Sequence, residues 1–241
     1  MNIFKKKEIV LDCFTTDAVV YDNAKINDAN KFMPEWWKNT PREVQGDKSI
    51  RNCLGIVEFY RTGIVIPSWF EMYYKDGQFT TSNNIDTGGS HPNHQYEGFA
   101  GADGTSMKLH TPWVFKCNRD INFTWTQPTW NNRDSIDRYT ILPAVVNYKY
   151  QFNTSINLFI TNKNQENGPV IEPLTPLVIL HPMTEEQVVI KNHLVDEREY
   201  NRIAGINELY LGWGFSNKLN LYNRRKKLIN KVEELGCPYH K

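Results

Sequence analysis

The chain has 241 residues, with 28 Lys and Arg against 27 Asp and Glu for a formal charge of +1, and 40% of its residues are hydrophobic. That length buries roughly three quarters of the surface an unfolded chain exposes, so stability requires neither disulfides nor a structural metal. The near-neutral balance excludes the clustered-cation footprint of a dedicated DNA or RNA binder.

The opening Met-Asn-Ile-Phe-Lys-Lys-Lys is followed by no long apolar run, so neither a signal peptide nor a membrane anchor is expected. Cys13, Cys53, Cys117 and Cys237 form no C-x-x-C pair and read as reduced thiols of a cytosolic protein; without a secretory route the sequons at Asn122 and Asn153 carry no meaning. The 26 asparagines, with abundant Lys, Ile and Tyr, are the bias of an AT-rich genome and agree with a viral source.

In chain order, β-branched and aromatic residues predict a strand over 9–14. A helix is predicted over 29–39, capped by Asp28 or Asn27, with Phe32, Met33, Trp36 and Trp37 at helical spacing, Pro34 in an early turn and Pro41 as its stop. The Trp pair reads as a lid on the core rather than a ligand cage. Strands are then predicted over 55–60, 63–66, 69–74 and 78–81 as an antiparallel meander, the last two joined by a hairpin turn at Lys75-Asp76-Gly77.

Residues 83–106 hold five glycines and few aliphatic residues, the mark of a long excursion and the first place to look for a site. Further strands are predicted over 107–117, 122–127, 139–150, 156–161, 170–171, 177–181 and 187–194, with prolines at strand starts, bulges and edges. Helices are predicted over 196–207 and 216–235, the second capped by Ser216 and closed by Gly236 and Pro238. That last helix carries an apolar stripe of Leu219, Tyr222, Leu228, Ile229, Val232 and Leu235. Its basic run, Arg224, Arg225, Lys226 and Lys227, reads as a solvated face. The fold expected is mainly β: a jelly-roll or β-roll sandwich over 1–195, with an N-terminal helix near 28–39 and a helical C-terminal extension over 196–241.

The strongest local chemistry is His91-Pro-Asn-His94-Gln-Tyr-Glu97 inside the excursion. Two imidazoles and a carboxylate within seven residues supply three ligands for Fe, Mn or Zn with positions left for substrate. Cupins place such ligands as His-x-His on one strand face. Here His91 and His94 are three apart and would point to opposite sides of a straight strand, unless Pro92 or Asn93 bends it. His110 and His181 are further candidate ligands, with a hydrogen-bonded structural role as the commoner alternative. No Gly-x-Ser-x-Gly elbow is present, and the Gly88-Gly89 pair is followed by neither Lys-Ser/Thr nor a helix start, so nucleophile and phosphate-loop signatures are missing.

Several segments resemble an uncharacterised family of domains of unknown function found in bacteria and in tailed phages, including marine contractile-tailed ones. They are Cys53-Leu-Gly-Ile-Val-Glu-Phe, Gly63-Ile-Val-Ile-Pro67, Lys108-Leu-His-Thr-Pro-Trp113-Val-Phe-Lys116, Ile141-Leu-Pro-Ala-Val-Val-Asn147-Tyr-Lys-Tyr150, Ile156-Asn-Leu-Phe and Thr175-Pro-Leu-Val-Ile-Leu-His-Pro182. The resemblance spans roughly residues 30–205 and implies a phage source and a mostly β fold; it brings no established activity. The order of Val145 to Tyr150 and Pro173 to Met183 is also similar to two motifs of trimeric dUTPases. Asn147 then stands where a catalytic Asp would be, which removes the general base, and the Arg-Ser-Gly motif and Gly-rich arm are missing.

The function expected from these observations is that of a phage protein without enzymatic activity. It would be a virion structural or assembly-associated protein-binding module, homo-oligomeric, in the host cytoplasm during infection and in the particle. Its partners would be other virion or phage proteins, with no dedicated nucleic-acid binding and no membrane. Two alternatives are a cupin-like metal-dependent β-barrel enzyme using His91, His94 and Glu97, and a non-catalytic dUTPase-like nucleotide binder.

Overall fold

The computed structural model describes residues 8–75, 78–81, 88–90, 98–99, 104–131, 139–161, 168–211 and 218–234. The chain begins with β1 (Ile9–Thr15), α1 (Ala18–Asn23) and β2 (Asn27–Asp28). A 3-10 turn, Ala29–Phe32, leads to α2 (Glu35–Asn39), the hairpin β3 (Glu43–Val44) and β4 (Asp47–Lys48), a second 3-10 turn, Ile50–Asn52, and α3 (Leu54–Thr62). Next come β5 (Ile64–Pro67), β6 (Met72–Lys75), β7 (Gln78–Thr81), β8 (Gly88–Ser90), β9 (Gly104–Cys117), β10 (Phe123–Thr126), β11 (Thr140–Ile141) and β12 (Ala144–Val146). The chain continues through β13 (Asn153–Thr161), β14 (Val170–Ile171), β15 (Pro176–Pro182) and β16 (Val188–Leu194) to α4 (Glu197–Leu211) and α5 (Lys218–Glu234).

Two sheets dominate. The first runs β11-β13-β9-β1-β16, with β8 also paired to β9, and the second runs β12-β10-β15-β5-β2. Neighbours are antiparallel except β1 and β16, which run parallel from Ile9↔Val188 to Thr15↔Leu194. β1 has a period-two pattern: Ile9, Leu11, Cys13 and Thr15 are buried while the residues between them are half-buried. Leu11, Cys13, Leu109, Phe115, Ile156 and Leu158 of the first sheet share one core with Ile64, Ile66, Phe123, Val178 and Leu180 of the second. The molecule is therefore mainly β, a sandwich of sheets that close into no barrel. Each fully buried large side chain here contributes about 1.5–3 kcal/mol of apolar burial.

The outer face of each sheet is covered as well. On the second sheet Ala29, Trp37, Ile56 and Tyr60 pack over Val65 and Ile179. On the first, Ile203 and Ala204 of α4 pack over Val114 and Phe152, with Phe14 and Tyr200 alongside. Gly63 joins α3 to β5 because an added Cβ would lie 2.7 Å from both the Phe59 carbonyl oxygen and Ile179 Cγ2.

Four sequence expectations change. The strand expected over 55–60 is instead α3: its β-branched and aromatic residues fit a strand, yet Ile56 and Tyr60, four apart, bury one helical face on the second sheet. The single helix expected over 29–39 is broken, because Met33 and Pro34 are extended (ψ 125° and 149°) and Pro34 stands as the N-cap of α2. A residue before proline is pushed out of the helical region, so the chain restarts there. The strand expected over 139–150 splits into β11, β12 and a turn in which Tyr150 and Gln151 amides donate to the Asn147 carbonyl at 3.0 and 2.9 Å. The meander expected over 55–81 is divided between sheets, β5 joining the second and β6 pairing with β7 and β14 in a small third one. Within the excursion, β8 pairs with β9 through Gly88↔Leu109 to Ser90↔Met107. Prolines fall as expected at irregularities: Pro176 opens β15 where its ladder slips before Val178, and Pro112 lies opposite the slip between Asn153 and Ser155.

Candidate functional site

The outer layer on the second sheet is assembled from three short stretches. Trp37 is buried against α3, while Trp36 turns outward and donates its indole N–H to the Trp130 carbonyl at 2.9 Å. The two exposed indoles, Trp36 and Trp130, lie with ring centroids 6.3 Å apart. Beneath them the Tyr60 hydroxyl donates to Asn131 Oδ1 at 2.8 Å, and the Asn131 amide donates back to the Phe32 carbonyl. Burial raises the Tyr60 phenol, keeping it a neutral donor.

On α3, Leu54 lies away from Ile56 and Tyr60 and is 78% exposed, and Val57, three residues on, is 37% exposed; Ile50, in the 3-10 turn before the helix, is 44% exposed. Cys53, between Ile50 and Leu54, is extended (ψ 108°) and exposed, so Leu54 and Val57 alone share the helix surface. The turn beneath is held rigidly: Ser49 Oγ accepts the Arg51 amide at 3.3 Å, and Arg51 Nη1 donates to the Thr40 carbonyl at 3.1 Å. Arg61 forks onto both Glu58 oxygens and its hydrogen bonds lower that carboxyl. Exposed aliphatic side chains and two exposed indoles in one outer layer are the composition of a protein-contact surface.

A polar node sits where α5 meets the sandwich. Asn147 is 6% exposed; its Nδ2 donates to Asp120 Oδ1 at 2.8 Å and Asn122 Oδ1 at 3.1 Å, and its Oδ1 accepts the Lys149 amide at 3.1 Å. Every polar atom of that side chain is thus engaged inside the chain. Asp120 Oδ2 takes Lys226 Nζ at 3.3 Å and the Tyr150 hydroxyl at 3.1 Å. The same hydroxyl lies 2.9 Å from Asn230 Oδ1, and a phenol has one proton, so both contacts hold together when the Asn230 amide turns its NH2 inward. Desolvation pushes the Asp120 carboxyl up, but hydrogen bonds from Asn147, Lys226 and Tyr150 with the Lys226 charge outweigh it and hold the group below its ordinary value. Arg225 is only 9% exposed, its guanidinium 4.5 Å from the centroid of the Phe152 ring. The basic run expected to be a solvated face is therefore divided: Arg225 and Lys226 anchor α5, and Arg224 and Lys227 are exposed.

His91, His94 and Glu97, the candidate metal ligands, lie outside the described residues, as does Cys237. Among the described residues no three of His, Cys, Asp and Glu gather as a metal site. His110 and His181 are on different sheets. His110 Nδ1 lies 3.3 Å from Ser155 Oγ, and His181 is half-buried with its ring 4.6 Å from Phe59, where burial lowers its pKa. Cys13 and Cys117 are buried in the core as free thiols. A second histidine pairing, His193 Nε2 with Asp12 Oδ1 at 2.8 Å, bridges β16 and β1 beside the stacked Phe14 ring. A polar cavity of about 220 Å³ lies between the edges of β2 and β16, where the Asn192 amide pairs with both N–H and C=O of Ile26. Among the described residues no helix is long and apolar enough to cross a membrane.

Sequence reasoning missed the α3 surface and the Asp120 node for different reasons. The α3 surface is readable as Leu54 and Val57, three apart and away from Ile56, once the segment is taken as helix. Asp120, Tyr150 and Asn230 are up to 110 residues apart in sequence and carry no shared signature. No protein-family model matches the chain, and no curated protein matches it in sequence.

Proposed function

We propose that this chain is a protein-binding module of a phage, a virion component or assembly factor without enzymatic activity, which works in the host cytoplasm and in the particle and associates with itself and with other phage proteins. The observation that carries the reading is the set of exposed apolar side chains in the layer outside the second sheet, Ile50, Leu54 and Val57 together with Trp36 and Trp130, apolar surface that the fold spends no burial on. The phage source rests on the family resemblance of the segments from Cys53 to Pro182. For the sandwich we propose the jelly-roll or β-roll class, supported by two sheets whose edges meet at β2 with β16 and at β11 with β12; the parallel β1–β16 pair departs from an all-antiparallel roll.

Mass spectrometry of purified particles, beside light scattering of the isolated protein, tests this reading. The chain is expected in the particle, and Leu54→Glu/Val57→Glu, which keeps the circular dichroism of the wild type, is expected to lose that incorporation or its self-association. A wild-type chain that is monomeric at every concentration and missing from particles would overturn it. Elemental analysis of the wild type beside His91→Ala/His94→Ala separates the metalloenzyme alternative: near-stoichiometric Fe, Mn or Zn that disappears in the variant would replace the binding-module reading.

A further inference from the structure

Helix α5 has two faces with different chemistry. At about 100° per residue, Tyr222, Arg225, Lys226, Ile229 and Asn230 fall on one side. Their contacts with the sandwich confirm that side as the docked one: Tyr222 meets Tyr150 edge-on at 6.1 Å, Arg225 covers Phe152, Lys226 pairs with Asp120, and Asn230 meets the Tyr150 hydroxyl. The opposite side carries Arg224, Lys227, Leu228 and Lys231, spaced i, i+3, i+4, i+7 and all exposed, with Leu228 at 52%. From Asn223 to Lys231 the helix has no acidic residue, and among the described residues none of these three cations makes an ion pair. From Asn223 to Lys231 the outward face is therefore a row of three cations with a leucine among them, Glu233 and Glu234 following at the helix end.

We infer that this face docks an acidic polypeptide segment that carries an apolar residue between its carboxylates. Charge fixes the sign of the partner, and Leu228 fixes its class. A phosphate backbone offers a leucine nothing to pack on, and single-stranded nucleic acid is gripped by exposed aromatic platforms. Here the Tyr222 and Tyr150 rings are turned against each other at the docked side. A membrane-surface helix buries a wide apolar face in the headgroup region, where this face offers a single leucine. An acidic amphipathic segment satisfies both features at once, carboxylates meeting Arg224, Lys227 and Lys231 while its own leucine covers Leu228. The face lies on the first sheet's side of the molecule, across the sandwich from α3, so its test is separate from that of the α3 surface.

Fluorescence anisotropy with three labelled probes tests the inference on the full chain: a helical Glu/Ala/Leu peptide with leucine at every third or fourth position, poly-L-glutamate, and oligothymidylate of equal charge. Saturable binding of the peptide, tighter than that of either other probe, is expected. Lys227→Glu/Lys231→Glu should weaken it about tenfold or more, two exposed charge pairs being reversed. Leu228→Ala should weaken the peptide severalfold and leave poly-L-glutamate unchanged, a split that bare charge attraction does not give. Since these side chains do not touch the sandwich, both variants should keep the wild-type Tm; Lys227→Gln/Lys231→Gln repeats the test should the reversal unfold α5. Oligothymidylate binding as tightly as the peptide, loss of the Leu228 split, or no saturable peptide binding would each overturn the inference.

Discussion

At the scale of single residues, the polar groups around Asn147 are bound to specific partners, and changing the charge of one of them has a predictable sign. Asn147 is needed as a neutral donor between Asp120 and Asn122. Asn147→Asp would place a second carboxylate against Asp120 and remove a buried donor, a loss of about 1–3 kcal/mol at neutral pH. That deficit should shrink as the pH falls through the carboxylate range, and urea midpoints at two pH values would show it. Asp120 has the opposite dependence. Its folded carboxyl is held below its ordinary value, so its contribution is full above about pH 4 and is lost as the pH drops through the folded value. With 43% of the side chain exposed, that contribution is screened to under about 1 kcal/mol, and the Tm advantage of the wild type over Asp120→Asn should vanish in acid. The thiols sort by burial. Cys13 is raised well above its ordinary value by burial and then by the Asp12 charge, and Cys117 chiefly by burial, whereas Cys53 is exposed. A maleimide added to the native protein should label Cys53 and spare Cys13 and Cys117 until denaturant opens the core, as peptide mass spectrometry would read.

At the scale of elements, local propensity and tertiary packing compete, and each wins once. The residues of α3 favour a strand, but Ile56 and Tyr60 at helical spacing join Ala29 and Trp37 in covering the second sheet. Pro34 wins in the other direction, cutting one expected helix into a 3-10 turn and α2 because the backbone before a proline avoids the helical region. Among the described side chains, Tyr222, Arg225, Lys226 and Asn230 hold helix α5 to the sandwich, while Leu228 of the expected apolar stripe is exposed. Removing the guanidinium that lies on Phe152 should therefore loosen the helix alone. Arg225→Ala is expected to cost about 0.5–2 kcal/mol of docking, seen as faster amide exchange over Lys218–Glu234 with unchanged exchange in β1 and β9. Faster exchange spread through both sheets would show instead that α5 belongs to the cooperative core.

At the scale of the whole molecule, the first strand is the keystone. β1 lies between β9 and β16, so Leu11 pairs with Cys117 on one side and Ile190 on the other. Deleting residues 1–15 would strip both neighbours of a ladder and open the core at Leu109, Phe115 and Val188. The expected result is a chain without cooperative thermal unfolding or dispersed NMR amide signals. Pairings that join residues nearly 180 positions apart also make folding depend on costly loop closures, so refolding should take milliseconds to seconds, which stopped-flow fluorescence of the seven Trp residues can time.

That the protein is mainly β is legible in its residues, because alternation and β-branched runs such as Ile9 to Thr15 report a two-sided environment that is local to the strand. The sequence also shows where prolines interrupt ladders, since a missing N–H is a property of one residue. Long-range packing, by contrast, makes residues 54–62 a helix, pairs β1 in parallel with β16, and brings Asp120, Asn147, Tyr150 and α5 to one node. Those outcomes depend on which surfaces come together across more than a hundred residues of chain, and neither composition nor local spacing records that. The exposed faces of α3 and α5 stand between the two. Their spacing is written in the sequence, but which side of each helix stays in water was set by the sheet it packs on.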